Sequence, residues 1–288
     1  MRIQLRPDRD IRVSKVKTGK ISSLILRNKS GLQEEPGILW IHGGGYFLGM
    51  KEMVYMSRAA ELVRKYGAVV VSPGYRLAWR APYPAAAKDC YQALLYLKAH
   101  ARELGVREDQ IMVGGESAGG GLAAAVCMMA RDRGDVSVAF QMPLYPMLSN
   151  VDTESSGDNH GRIWNTRRNH IGWRMYLRKA AKQEVPPYAA PAWQTDYSQL
   201  PPAYTFVGDG EPFYTETMNY IQRLREAGVP AQCDVYHTDM HAFDMLQPDS
   251  ESGRQAGKRF EEQYLYAAAH YFAAQPSLQD DRRRNVPI

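Results

Sequence analysis

The chain has 288 residues, of which 44% are hydrophobic and 23% charged, and this composition excludes a disordered or fibrous protein. Its net charge of +5 comes from basic residues interleaved with acids, and the tightest basic run, 282–284, directly follows two aspartates, so we expect no nucleic-acid partner. The first residues contain no apolar leader segment and no stretch of roughly 18 apolar residues occurs, so we expect a cytoplasmic protein with no membrane partner.

Strand and helix patterns alternate along most of the chain. The predicted strands are 11–18, 22–27, 37–41, 68–72, 110–113, 136–142, 204–208 and 232–237, and the predicted helices are 52–66, 85–104, 122–131, 214–227 and 253–273. Such alternation is typical of right-handed crossovers onto a mostly parallel sheet with helices on both faces. We therefore predict an α/β fold that forms a single domain over residues 1–288.

One long segment interrupts this alternation. Residues 148–200, which we call the insert, contain no good strand pattern, but they carry several aromatic residues and one predicted helix near 169–182. A connection of this length usually has a function of its own, so we expect a lid or a substrate wall. The alternative is a helix that only packs on the edge of the sheet.

A glycine-rich turn lies between the predicted strand 110–113 and the helix that follows. Gly115-Glu116-Ser117-Ala118-Gly119 fits the pattern Gly-x-Ser-x-Gly, in which small flanking residues allow a strained turn to present the serine hydroxyl at the top of a sheet. A phosphate-binding loop is the alternative, since helix N-termini attract anions. The Gly-Lys-Ser/Thr of such loops does not follow, so the sequence favours a nucleophilic serine.

A serine nucleophile needs a base and an acid that orients the base. His237 and His241 directly follow the last predicted strand, and we choose His241 because it lies deeper in the loop. Asp209 and Glu211 both follow the strand 204–208, where reacting groups of a parallel sheet gather. The order serine, acid, histidine is that of α/β-hydrolases.

Metal and cofactor chemistry is not indicated by the remaining residues. His237 and His241 have the spacing of a zinc pair, but they follow a strand and lack the glutamate of His-Glu-x-x-His. Cys90, Cys127 and Cys233 are far apart in the sequence, which is typical of buried free thiols. We expect no metal and no organic cofactor.

Backbone donors for an oxyanion are predicted at two places. Ala118, the residue after the serine, supplies one N–H group, and the run His42-Gly43-Gly44-Gly45 after an apolar strand supplies others. Glycine allows the backbone to approach a substrate without a Cβ in the way.

These motifs together resemble the hormone-sensitive-lipase-like, or family IV, esterases of the α/β-hydrolase superfamily. The resemblance covers about residues 38–272 and rests on His42–Gly45, Tyr75–Ala78 with Pro82–Ala86, Gly115–Gly120, Pro143–Pro146, Leu200–Ala203 and His241–Asp244. It implies an α/β-hydrolase fold, Ser117 as nucleophile, His241 as base, and the amides of Gly44, Gly45 and Ala118 as oxyanion donors.

The chain departs from the family pattern at four places. Glu211-Pro212 stands where the family has Asp-Pro, so we prefer Glu211 to Asp209 as the acid. Glu116 replaces an aspartate or threonine, and Gly74 replaces a common aspartate. The region before the first strands is too short for the usual N-terminal cap, which leaves the insert as the main candidate lid.

The resemblance implies a serine carboxylesterase that acts through an acyl-enzyme, and we expect short acyl chains. Tyr46, Trp164 and Trp173 are the candidate substrate-binding residues. The alternatives are a peptidase or amidase with the same triad, and a non-catalytic relative that binds a small molecule. We expect a small ester substrate as the ligand and a monomer or homodimer as the assembly.

Overall fold

A computed structural model describes residues 6–31, 34–178, 180 and 184–276. Its centre is an eight-stranded sheet with the spatial order β1-β2-β4-β3-β5-β6-β7-β8. The strands are β1 Ile11–Thr18, β2 Ile21–Asn28, β3 Glu35–Ile41, β4 Val69–Pro73, β5 Val106–Glu116, β6 Phe140–Leu144, β7 Ala203–Gly208 and β8 Ala231–Tyr236. Strand β2 is antiparallel to both of its neighbours, β1 and β4. The other six strands, in the spatial order β4-β3-β5-β6-β7-β8, are parallel to one another. The predicted mostly parallel sheet is confirmed.

Helices cover both faces of this sheet. They are α1 Arg58–Tyr66, α2 Ala85–Ala99, α3 Ala101–Leu104, α4 Ala118–Arg133, α5 Thr166–Leu177, α6 Tyr214–Glu226, α7 Phe243–Leu246 and α8 Glu251–His270. Alternate residues of β3 enter different cores: Leu39 and Ile41 pack with α2 and α4, whereas Ile38 and Trp40 pack with α1 and α8. The continuous apolar run of this strand follows from burial on both faces.

Two predicted helices are divided in the structure. Lys51–Met56 forms a 3₁₀ helix, and α1 starts only after Ser57. The backbone of Ser57 is extended, and its side-chain hydroxyl accepts a hydrogen bond from the Ala59 amide. The helix predicted at 85–104 is interrupted at His100, which separates α2 from α3. Side-chain periodicity continues through both breaks, so the sequence pattern alone does not reveal them.

The strands of the parallel part end at one edge. Ile41 lies opposite Gly115, Glu116 opposite Leu144, and Gly208 opposite Tyr236. The segments that follow β3, β5, β7 and β8 therefore meet above the same edge, as expected for reacting groups in such sheets.

The insert lies across this edge. Its helix α5 begins at Asn165, whose side chain accepts a hydrogen bond from the Arg168 amide; of the predicted helix 169–182, residues 179 and 181–182 lie outside the described residues. No strand occurs in the insert's described part. Within the described ranges, no helix is long and apolar enough to cross a membrane. The basic run 282–284 and the aspartates before it lie outside the described residues.

Candidate active site

Ser117 lies on a strained turn between β5 and α4. Its φ of 57° and ψ of −120° are unfavourable for a residue with a side chain, and its amide donates to the Leu144 carbonyl at 3.0 Å. A Cβ on Gly115 would lie 2.5 Å from the Ile41 oxygen, and one on Gly119 would collide with the same oxygen. The glycines of the motif are therefore required by the close approach of β3.

His241 lies between Ser117 and Glu211. The Ser117 hydroxyl lies 2.9 Å from Nε2 of His241, and Nδ1–H of His241 donates to Oε2 of Glu211. A carboxylate only accepts, so the proton belongs on Nδ1, and Nε2 is free to accept from the serine. All three side chains are buried, Glu211 completely, and Oε1 of Glu211 accepts from the Gly208 amide at 3.2 Å.

Asp209, the other acid considered from the sequence, pairs with a different histidine. Its Oδ2 accepts from Nδ1 of His237 at 2.8 Å, and its Oδ1 accepts from the Thr238 amide. These hydrogen bonds lower the pKa of Asp209 and raise that of His237, whose side chain is fully exposed. The structure thus brings Glu211, and not Asp209, to His241.

The loop after β3 packs against the serine turn. A Cβ on Gly43 would lie 3.3 Å from Cβ of Ser117. Gly44 and Gly45 both have positive φ, 114° and 59°, and within the described chain their amides have no hydrogen-bond acceptor. Ala118 opens α4, so its N–H also lacks a partner within the helix. These three amides are the predicted oxyanion donors.

The three aromatic residues predicted to bind substrate are all buried in one apolar core. Trp164, in the insert, packs directly on Gly45 and lies 6.5 Å from the Phe213 ring, measured between centroids. Tyr46 is buried, stacks on Tyr176 of α5 at 4.0 Å and donates to the Met147 carbonyl. Trp173 packs beside Tyr46 in the core. Trp164 therefore covers Gly45 from the insert, whereas Tyr46, the residue after Gly45, packs against Trp173 and Tyr176 of α5.

Further contacts to the insert surround the site. The Asn159 amide group donates to the Gly210 carbonyl and the Ser155 hydroxyl to the Pro212 carbonyl, on either side of Glu211. A Cβ on Gly172 of α5 would lie 2.9 Å from the Gly45 oxygen. The insert thus contacts both the oxyanion loop and the Glu211 loop, with Ser117 between them.

Sequence patterns did not identify the groups that surround His241. Phe213 and Tyr145 approach its ring edge-on, each 5.1 Å away. Tyr145 donates to Asp244 at 2.9 Å, and Arg58 donates to the other oxygen of Asp244 at 3.0 Å. Arg58 and Asp244 are 186 positions apart in the chain, so no local pattern signals their pairing.

Glu116 lies beneath the serine turn. It is buried and accepts a hydrogen bond of 2.7 Å from the Trp40 indole N–H. Burial raises its pKa from 4.5 to about 8, and the negative charge of Asp244 adds to this effect. The carboxyl group is therefore protonated at neutral pH, and the hydrogen bond to Trp40 explains how a carboxyl group is accommodated there.

Metal-ligating groups do not converge in the part of the chain that the structure describes. No three His, Cys, Asp or Glu side chains lie close enough together there to hold a metal ion. His237 and His241 have the spacing of a zinc pair, but each is hydrogen-bonded to a different carboxylate.

Known proteins resemble this chain over most of its length. The profile of the alpha/beta hydrolase fold family matches residues 38–245. The esterase LipI of Mycobacterium tuberculosis is 32% identical over 73% of this chain, and the match spans 66% of LipI, just under two thirds of its length. An arylesterase of Saccharolobus solfataricus is 32% identical, with 78% of this chain and 72% of the relative covered.

Solved structures give the same result. A bacterial heroin esterase superposes with a TM-score of 0.86 at 29% identity, covering 93% of this chain and 86% of the esterase. The esterase of Pyrobaculum calidifontis superposes with a TM-score of 0.82 at 32% identity, covering 91% and 87%. The chain belongs to the alpha/beta hydrolase fold family, and its predicted place among the hormone-sensitive-lipase-like esterases is confirmed.

Proposed function

We propose that the protein is a serine carboxylesterase that hydrolyses short-chain acyl esters through an acyl-enzyme. The observation that carries this proposal is the His241 imidazole, which contacts the Ser117 hydroxyl with one nitrogen and the Glu211 carboxylate with the other. Nearness of a hydroxyl, a base and an orienting acid is the requirement for an activated serine. The names of the matched esterases agree with this reaction.

The reaction begins with a proton transfer. Ser117 attacks the ester carbonyl as its proton passes to Nε2 of His241, and the buried Glu211 stabilises the imidazolium through Nδ1–H. Collapse of the tetrahedral intermediate expels the alcohol, which takes the proton from Nε2. Water, deprotonated by His241, then attacks the acyl-serine, and the acid leaves as Ser117 regains its proton.

The developing oxyanion is held by the amides of Gly44, Gly45 and Ala118 in this proposal. Each donor of this kind stabilises a transition state by about 3 kcal/mol. The strained backbone of Ser117 and the positive φ of both glycines support the assignment, because such conformations hold donors in position before substrate arrives.

The insert is proposed to form the wall of the acyl site within a single domain. Trp164 packs on Gly45, and the Ser117 side chain is almost fully enclosed. A bulky indole directly beside the oxyanion loop leaves little room for a long acyl chain, and this supports an acetyl-like preference.

A series of nitrophenyl esters from acetate to octanoate tests the proposal. We expect kcat/KM to be highest for the shortest chains and turnover to disappear in Ser117→Ala. Trp164→Ala is expected to raise the octanoate-to-acetate ratio of kcat/KM by about tenfold, because the space it opens buries about two further CH₂ groups at about 0.8 kcal/mol each. The matched control is Trp193→Ala, which removes a half-exposed indole from another part of the insert.

Two results would contradict the proposal. Faster hydrolysis of aminoacyl amides than of esters would assign the enzyme to peptide-like substrates. If kcat/KM depended on acyl-chain length in Trp164→Ala as it does in the parent, Trp164 would not be part of the wall of the acyl site.

A further inference from the structure

A short segment at the end of β6 holds the serine turn in place. It consists of the last residue of β6 and the five residues after it, 144–149, and we call it the bridge segment. Both backbone polar groups of Ser117 are bonded to it: the Ser117 amide donates to the Leu144 carbonyl at 3.0 Å, and the Ser117 carbonyl accepts from the Met147 amide at 3.0 Å. The bridge segment therefore sets the position of the nucleophile.

The same segment is bonded to the oxyanion loop. The hydroxyl of Tyr46, the residue after Gly45, donates to the Met147 carbonyl at 2.9 Å. Burial raises the pKa of Tyr46 well above its usual range, so the hydroxyl remains a donor near neutral pH. Met147 thus accepts from the oxyanion loop with its carbonyl and donates to the nucleophile with its amide.

The backbone is strained at both ends of this connection. Tyr46 has a φ of 68° and Ser117 a φ of 57°, and both values are unfavourable for a residue with a side chain. Such conformations persist only where surrounding contacts impose them. For Tyr46 these contacts are the bond to Met147, a bond of 2.8 Å from the Ala78 amide to its carbonyl, and the stacking of its ring on Tyr176. The Tyr46 side chain therefore helps to hold the oxyanion loop in its strained shape.

The packing around the hydroxyl leaves no room for a side chain at the start of α4. A Cβ on Gly121 would lie 2.6 Å from Oη of Tyr46 and 2.1 Å from the Met147 oxygen, so both groups would have to move. The Gly121 amide also donates to the Ser117 carbonyl at 3.0 Å. Glycine at this position thus allows the tyrosine hydroxyl, the Met147 carbonyl and the serine turn to meet.

A buried carboxyl group anchors the bridge segment from α6. Glu216 is 3% exposed, and its two oxygens accept from the Leu148 amide at 2.7 Å and from the Ser149 amide at 3.3 Å. These bonds hold the two residues directly after Met147 to the body of the fold. Met147 is therefore a fixed point to which the oxyanion loop and the serine turn are both attached.

We propose that Tyr46 is a positioning residue whose hydroxyl, through Met147, fixes the amides of Gly44 and Gly45 relative to Ser117. This inference rests on the proposed esterase function. Oxyanion donors act at roughly 2.7–3.1 Å from the place that the oxyanion takes in the transition state. Displaced donors therefore lose interactions with the transition state, while ground-state binding of the ester is kept.

Tyr46→Phe removes the hydroxyl and keeps the ring that stacks on Tyr176. We expect kcat for nitrophenyl acetate to fall by at least about tenfold and KM to stay within about twofold of the parent value. Tyr220→Phe is the matched control, because Tyr220 is also buried, at 2% exposure, and donates at 2.8 Å to the Gln141 side chain rather than to the bridge segment. Both variants lose one buried hydrogen bond, so their midpoints of urea unfolding should fall alike, but only Tyr46→Phe should lose turnover.

A short-chain trifluoromethyl ketone reports on the oxyanion donors directly. Oγ of Ser117 bonds to its carbonyl carbon, the serine proton passes to His241, and the carbonyl oxygen becomes a tetrahedral oxyanion. We expect its inhibition constant to rise in Tyr46→Phe by the factor by which kcat/KM falls, because both depend on the same donors. The inhibition constant of the corresponding methyl ketone, which binds mainly as the unreacted carbonyl, should be unchanged.

The inference and the proposed function fail in different ways. A kcat equal to that of the parent in Tyr46→Phe would overturn the inference alone, and so would an equal loss of kcat in Tyr220→Phe. A higher KM at unchanged kcat, or equal weakening of both ketones, would also overturn it, since the hydroxyl would then act in ground-state binding. A parent protein that hydrolyses no ester would contradict the proposed function, and this inference with it.

Discussion

Two carboxylates separated by one residue serve two different histidines. Asp209 and Glu211 both follow β7, yet Asp209 turns outward to the exposed His237, whereas Glu211 is completely buried and meets His241. Burial decides their roles, because a carboxylate stabilises an imidazolium far more strongly where water is excluded. A glutamate side chain is one CH₂ group longer than that of the aspartate usual in the family, and at this strand end its carboxylate contacts the imidazole of His241.

Glu211→Gln is expected to lower kcat for nitrophenyl acetate by about 10³–10⁴-fold, because the amide no longer stabilises the imidazolium or fixes its tautomer. Asp209→Asn changes a solvent-exposed pair and is expected to leave kcat within about twofold, since exposed ion pairs contribute little. Steady-state kinetics of both variants makes the comparison. A larger loss in Asp209→Asn than in Glu211→Gln would reverse the assignment of the acid.

At the scale of elements, one buried ion pair joins α1 to the loop that carries His241. Arg58 donates to the Asp244 side chain and to its backbone carbonyl, and Tyr145, which follows β6, donates to the same carboxylate. Asp244 is the third residue after His241 and lies in α7. The network therefore fixes the loop of the base against two elements distant in sequence.

Asp244→Asn is expected to reduce the free energy of unfolding by about 3–5 kcal/mol, because Arg58 loses its fully buried counter-charge and keeps only the partly exposed Glu61. Glu61→Gln is the matched control, since Glu61 pairs with the same arginine from a partly exposed position and its loss should cost below about 1 kcal/mol. Urea unfolding followed by circular dichroism measures both. Similar losses in the two variants would show that the buried carboxylate has no special part in holding the loop.

At the scale of the whole molecule, Glu116 makes stability depend on pH. Its pKa rises from 4.5 in the unfolded chain to about 8 in the fold, so between these values the native state holds a proton that the unfolded state has released. The free energy of unfolding therefore falls as pH rises through this window, by at most about 1.4 kcal/mol per pH unit from this group.

Glu116→Gln removes this dependence. We expect the stability of the variant relative to the parent to increase from pH 4.5 to about pH 8 and to be constant above that range. Urea unfolding of both proteins across this range is the measurement, and the difference between the two curves isolates Glu116 from other titrating groups. Parallel curves would show that Glu116 is ionised in the native state at neutral pH.

Local patterns predicted much of the fold and the centre of the site. The apolar runs identified the buried strands, the glycine motif and the loop after the last strand identified Ser117 and His241, and the family resemblance favoured Glu211 over Asp209 as the acid. Contacts between distant segments could not be predicted. Arg58 and Asp244 carry no common signal. Tyr46, Trp164 and Trp173 all pack in one core, and their part in substrate binding stays a prediction.

The acyl-enzyme is the central claim, and its direct detection is the sharpest measurement. The protein is mixed with nitrophenyl acetate, quenched with acid within the first turnover, digested and analysed by mass spectrometry. We predict one acetyl group on the peptide that contains Ser117, formed in the parent and absent in Ser117→Ala. Product release without any acetylated peptide, or acetylation of another residue at the rate of turnover, would contradict the account.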